Sequence, residues 1–148
     1  MKLYVSKKEL ETFRQRCYEH NLKMTPQRIA IYEAITDNTE HPSADAIFRK
    51  LQKTFPTISF DTVNRTLATF AQIGLLHVVE GHGDSKRFDP NLAKHHHFRC
   101  VKCGAIIDFY NDAYDTITIP HALRKRFTVS TIKVLLEGVC AECHTKRT

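Results

Sequence analysis

Two Cys-x-x-Cys pairs stand forty residues apart in this chain, Cys100 and Cys103 in CVKC and Cys140 and Cys143 in CAEC. Thiolates are soft ligands, and two such pairs can each clasp one side of a tetrahedral zinc ion. Gly104, directly after the first pair, permits the tight turn of a zinc knuckle. Four cysteines fill a tetrahedral ion and leave no position for a substrate, so this zinc is expected to be structural and to contribute to folding. The alternative for these residues is redox pairs or free thiols.

A second cluster is rich in histidine and aspartate: His95, His96 and His97, then Asp108, with Asp89 shortly before and His41 far upstream. Alternate residues of a strand share a face, so His95 and His97 can point at one ion while His96 points away. Mixed imidazole and carboxylate ligands suit iron(II), manganese(II) or zinc. An exposed histidine run and a catalytic metal site remain open alternatives on these residues alone.

The elements that must position these groups fall into two halves. Leu10, Phe13 and Cys17 recur at helical spacing, which places Cys17 in a core. Thr25 before Pro26 reads as an N-cap with proline at the first helical position, opening a helix through Ile29, Tyr32 and Ile35. Ser43 caps a helix carrying Ile47, Leu51 and Phe55, closed by Pro56, and Ser59 caps a fourth that ends at Gly74. On that fourth helix Phe60, Val63, Leu67, Phe70 and Ala71 form the apolar face, and Thr62, Arg65, Thr66 and Thr69 the polar one. LLHVVE, the turn signal GHGDS and KRFD then read as a hairpin. Helices followed by a two-stranded hairpin is the order of a winged helix-turn-helix. Its polar helix face fits a major groove, and Lys86 and Arg87 stand where a wing meets the phosphate backbone; a solvated helix face and two ordinary exposed basic residues are the alternatives. Beyond the linker DPNLAK, the segments HFRCV, AIIDFY and TVSTIKVLL read as strands, with a helical stretch from about Asp112 to Arg126 interrupted by Pro120.

The expected class is therefore α/β (α+β), divided into a winged-helix domain 1–89, a hinge 90–94 and a small α/β domain 95–148. Lys and Arg total 22 against 16 Asp and Glu in 148 residues, a net +6 that favours a polyanionic partner. Residues 1–91 carry 13 basic and 11 acidic side chains, so the excess is not concentrated in the half assigned to DNA. No apolar run reaches the roughly 20 residues of a membrane helix. The N-terminus lacks a signal-peptide pattern, and the five cysteines suit a reducing cytoplasm. A metal enzyme is the competing class, but no HExxH, phosphate loop or nucleophile elbow is present. His96, His121 and His144 read as surface residues.

In order along the chain, Thr25-Pro26-Gln27-Arg28, His41-Pro42-Ser43-Ala44-Asp45, Thr62-Val63-Asn64-Arg65-Thr66-Leu67, Gly74-Leu75, Arg87-Phe88-Asp89, HHHFRCVKCG and CAEC resemble the ferric uptake regulator (Fur) family. The resemblance covers nearly the whole chain. It implies a homodimeric, metal-activated transcriptional repressor of double-stranded operator DNA, with structural zinc in the C-terminal domain. The positions matching the regulatory metal site of the peroxide-responsive repressors of this family are His41, Asp89, His95, His97 and Asp108. This set of three nitrogens and two oxygens resembles the branch in which bound iron(II) reacts with hydrogen peroxide, oxidising His95 and His41; manganese(II) fills the same site and reacts little. Many iron-uptake regulators have glutamates where Asp89 and Asp108 stand. A further metal site of several relatives uses an acidic residue between the two metal-binding histidines, where this chain has His96. An iron-responsive regulator is the alternative reading, a zinc uptake regulator a more distant one. Ser59, Thr62, Asn64, Arg65, Thr66, Lys86 and Arg87 are the expected DNA contacts. The family usually has tyrosine in place of Asn64, so that aromatic contact is absent. No substrate is implied, only peroxide as a signal.

Overall fold

Four hydroxyls open the helices of the first half. Ser6, Thr25, Ser43 and Ser59 accept hydrogen bonds from the backbone N–H groups of Glu9, Arg28, Ala46 and Thr62, at 3.2, 3.3, 3.2 and 3.1 Å. They thereby satisfy donors that a helix N-terminus leaves without intrahelical partners. The elements so started are α1 (Lys7–Glu19), α2 (Pro26–Thr36), α3 (Ala44–Gln52) and α4 (Phe60–Gln72), followed by strands β1 (His77–Glu80) and β2 (Lys86–Asp89). Ser6 and Glu9 form a reciprocal capping box at the first. The computed structural model describes residues 5–80 and 85–146, so most of the GHGDS turn lies outside the described residues.

The chain divides into two units, Met1–Leu92 and Ala93–Thr148. In the first, Phe13 stacks on Tyr32 with ring centroids 4.4 Å apart, and Phe70 meets both edge-on. Ile31, Ile35, Ile47, Val63, Leu67 and Leu76 complete the buried cluster, with Cys17 inside it as expected. Gly74, at φ +74°, ends α4 in the left-handed conformation that glycine adopts without a Cβ clash. β1 and β2 pair antiparallel with His77 opposite Asp89 and Val79 opposite Arg87. This is a winged helix-turn-helix.

Two expectations for this unit change. Phe60, assigned to the core face of α4, is 45% exposed and packs edge-on against Phe48 instead. Phe55 lies beyond α3, which ends at Gln52.

In the second unit β3 (His96–Cys100) sits between β4 (Ile106–Phe109), antiparallel to it, and β5 (Leu135–Gly138), parallel to it. Helices α5 (Asp112–Asp115), α6 (His121–Arg126) and α7 (Ala141–Thr145) complete the unit, with Pro120 at the start of α6. The strand expected across 128–136 begins only at Leu135. Alternating apolar residues favour extended chain, but a ladder needs a neighbour in register, and β3 offers one only from Val134 onward, whose carbonyl accepts from the His97 N–H. The same register sets Gly138 opposite Cys100 and leads Cys140 to its destination.

Candidate metal centres and nucleic-acid interface

Cys100 closes β3, and Cys103 follows in a turn fastened by the Gly104 N–H to the Cys100 carbonyl at 2.9 Å. From the other side, Val101 N–H bonds the Gly138 carbonyl at 2.8 Å, and Cys140 then stands at the N-cap of α7 with Cys143 in its first turn. The four sulfurs lie within 4.8 Å of one another. Cys103 Sγ and Cys140 Sγ are 3.8 Å apart. A disulfide requires about 2.05 Å, whereas a tetrahedral zinc with Zn–S bonds of about 2.3 Å sets neighbouring sulfurs about 3.8 Å apart. The residues therefore fit zinc.

Charge points the same way. Backbone N–H groups of Cys103 and Cys140 pull the Cys100 thiol down to about 6, the latter donating to Sγ at 3.3 Å. Cys143, hydrogen-bonded to the sulfurs of Cys140 and Cys103, is pushed up to about 12. The Cys100 thiolate is thus ready at neutral pH, and a cation is needed before Cys143 joins it.

On the same unit, the antiparallel register sets Asp108 directly across from His97, and His95 stands two residues earlier on the same side. His95 Nε2 and His97 Nε2 approach to 3.0 Å, and Asp108 Oδ1 lies 3.4 and 3.3 Å from them. An ion bonded at about 2.1 Å separates adjacent donors by about 3.0 Å in an octahedron and about 3.4 Å in a tetrahedron. The three separations match those of donors that would share one ion. His95 Nδ1 donates to the Ala93 carbonyl at 2.6 Å, which turns the Nε2 lone pair toward the triangle.

His96 points the other way, as strand alternation requires, but it is not a surface residue. It is buried, packed between Phe109 and Tyr114, with Nε2 3.2 Å from both the Asn111 carbonyl and Asp115 Oδ1. Lys94 Nζ reaches the same Asp115 carboxylate at 3.3 Å. His121 and His144 are exposed.

The first unit holds a histidine–aspartate pair of its own. His41 and Asp89 are both buried, Nε2 to Oδ2 3.4 Å, and Asp89 Oδ1 accepts from the Asn91 N–H at 2.8 Å. His41 has a left-handed backbone, φ +52°, between α2 and the cap of α3. Arg87 donates from Nε to the His41 carbonyl and from Nη2 to the Glu40 carbonyl at 2.8 Å. The guanidinium expected on phosphate is half-buried against this loop. Spacing alone carries no signal for that partner, which lies 46 residues away in sequence.

Along α4, Asn64 and Arg65 are exposed, and Arg65 pairs with Asp61 at 3.0 Å. Thr62 is partly exposed, Ser59 Oγ lies 2.9 Å from Thr62 Oγ1, and Lys86 on β2 is exposed. Thr66 is the correction on this helix: it is buried, 8% exposed. It stands three residues after Val63 and four before Phe70, on the edge of the core stripe.

A model of the ferric uptake regulator family matches residues 19–137. The chain is 36% identical over 140 residues to the peroxide operon regulator of Bacillus subtilis, covering 95% of this chain and 94% of that one. The chain belongs to the ferric uptake regulator family.

The peroxide-responsive repressor PerR of Staphylococcus epidermidis is 35% identical over 122 residues, 82% of this chain and 81% of that one. Among solved structures, the Helicobacter pylori ferric uptake regulator Fur superposes with a TM-score of 0.79 at 19% identity, over 100% of this chain and 99% of that one. PerR from Streptococcus pyogenes superposes with a TM-score of 0.52 at 29% identity, over 90% and 91%. Fur-family regulators are DNA-binding, dimeric repressors. Among the described residues of this member no helix is long and apolar enough to cross a membrane.

Proposed function

We propose that this Fur-family chain is a metal-dependent repressor that releases its operator when hydrogen peroxide oxidises histidines of its regulatory metal site. The observation that carries the reading is the triangle of His95 Nε2, His97 Nε2 and Asp108 Oδ1. It offers imidazole and carboxylate donors without sulfur, suited to iron(II) or manganese(II). Three donors leave an ion unsatisfied, and His41 with Asp89 supply the other two. The hinge is residues 90–94, between a DNA-binding domain 1–89 and a dimerisation domain 95–148. An ion shared by ligands from both domains fixes their relative orientation, and so the spacing of two recognition helices in a homodimer.

Iron(II) held by these residues would supply the redox chemistry that activates hydrogen peroxide, with no net change of its own oxidation state. An imidazole C–H of His41 or His95 becomes C–OH, peroxide being consumed and water released, and the oxidised ring binds metal poorly. Peroxide acts once on the protein as a signal; the chain is read as a regulator, not an enzyme. The names borne by the Bacillus and Staphylococcus relatives support the same choice.

Cys100, Cys103, Cys140 and Cys143 hold the structural zinc. All five cysteines are free of disulfides, in keeping with a cytoplasmic protein. Homodimerisation is supported by the second unit itself. Among its described residues only Cys100, Ile106 and Cys140 are buried apolar side chains, while Ile107, Leu123, Phe127, Leu135 and Leu136 are between 38% and 59% exposed. So thin a core needs both an ion and a partner surface.

For DNA, Ser59 at the cap of α4 and Thr62, Asn64 and Arg65 on it face the major groove, and Lys86 a phosphate. Arg65→Ala is expected to weaken operator binding by about tenfold or more, and Thr66→Val to change it less than about twofold, in the same gel-shift titration. Equal losses from both would place the groove contact on the wrong side of α4.

The deciding experiment is peptide mass spectrometry of the iron(II)-loaded protein after a low peroxide dose, paired with a gel-shift. A gain of about 16 Da on His41 or His95, with DNA release blocked by manganese substitution, is expected. Unmodified histidines with DNA binding that simply follows iron concentration would make the protein an iron-responsive repressor instead.

A further inference from the structure

Three successive carbonyls of the loop before α3 are held by two successive residues of β2. Arg87 donates to the carbonyls of Glu40 and His41, and the Phe88 N–H donates to that of Pro42 at 3.0 Å. Ser43 continues the contact as an isolated antiparallel bridge to Arg87. Within this clamp His41 keeps φ +52°, a left-handed conformation that is unfavourable for a non-glycine residue and persists only where its surroundings enforce it. The result is an imidazole Nε2 3.4 Å from Asp89 Oδ2, two residues farther along the strand that carries Arg87.

We propose that Arg87 is a positioning residue for the regulatory metal: its guanidinium fixes the His41 backbone so that the imidazole and the Asp89 carboxylate present themselves together to the ion. The inference rests on the metal-site reading above. A guanidinium suits the task because its rigid fork reaches two carbonyls at once, which an ammonium cannot do in the same way. One strand then carries both a ligand, Asp89, and the strut that orients another.

Electrostatics makes the proposal separable from a charge effect. Removing a cation from the neighbourhood of a cation site strengthens metal binding by Coulomb's law. A weakening on loss of Arg87 therefore reports geometry.

The test is manganese(II) titration of the zinc-loaded full chain, with free manganese read by electron paramagnetic resonance, for the parent protein, Arg87→Met, Arg87→Lys, His41→Ala and the double variant of Arg87→Met with His41→Ala. Arg87→Met is expected to weaken manganese binding by about tenfold or more, the range found when groups orienting metal ligands are lost. Arg87→Lys, able to reach one carbonyl, is expected to fall between it and the parent, and carries the test should Arg87→Met fail to fold. Once His41 has no imidazole to orient, Arg87→Met should cost little more. Unchanged affinity in Arg87→Met or, where that variant does not fold, in Arg87→Lys overturns the inference, as does an undiminished loss in the double variant. Parent-like affinity in His41→Ala overturns the metal-site reading itself and this inference with it.

Discussion

Cys100→Ser is expected to empty the zinc site and, with it, to unfold the second unit. Cys100 is the ligand built most deeply into the structure: it closes β3, lies fully buried, and accepts the Cys140 N–H on its sulfur. Serine offers no thiolate to a soft ion, and three remaining cysteines close a tetrahedron poorly. Structural zinc in small domains contributes about 10–16 kcal/mol of apparent binding free energy, most of it inseparable from folding. Against that, the described part of the unit buries three apolar side chains. Metal analysis should therefore show zinc-free protein, size-exclusion chromatography with light scattering a lost dimer, and circular dichroism a lost sheet signal. A stable, zinc-free dimer would refute the structural role.

His41→Ala is expected to do the opposite: keep zinc and dimer, yet lose metal-stimulated operator binding by about a hundredfold, at least the upper end of what losing a group that merely orients a metal ligand costs. The reasoning is topological. His41 belongs to the unit Met1–Leu92, whereas every cysteine of the zinc site belongs to Ala93–Thr148. His41 lies in the loop before α3 and not on α4, so on the proposed reading the substitution removes a metal ligand and leaves the proposed DNA contacts of α4 in place. Fluorescence anisotropy with labelled operator, with and without manganese(II), reads the difference directly. Full metal stimulation in this variant would contradict the clamp.

Local signals were the readable ones. Thr25, Ser43 and Ser59 act within three residues of their own position, and each caps the helix expected of it. The paired cysteines were legible because soft-ligand chemistry leaves few uses for two Cys-x-x-Cys pairs, and the facing of His95 and His97 because strand alternation is geometric. What escaped was set by neighbours remote in sequence. Thr66 sits on the boundary between two faces of α4, where packing against other helices decides burial and the wheel does not. The start of β5 depends on where β3, its parallel neighbour, begins. His96, adjacent to two polar histidines, is drawn inside by Phe109, Tyr114 and Asp115. Arg87 reads as a wing cation until its carbonyl partners are seen.

The parallel pairing of β3 with β5 has a consequence for the order in which the second unit is made. β3 and β4 are joined by a short turn and can zip as a hairpin once synthesised, but the third strand arrives only after the long excursion through α5 and α6. Its sulfur partner stands 40 residues beyond Cys100. Cross-linking a loop of that size removes about 4 kcal/mol of chain entropy from the unfolded ensemble, so the ion acts as a late staple: it captures β5 after translation has passed Cys143. Closing the second unit would thus depend on zinc at the cysteines, a requirement separate from any ion at the histidines and aspartates.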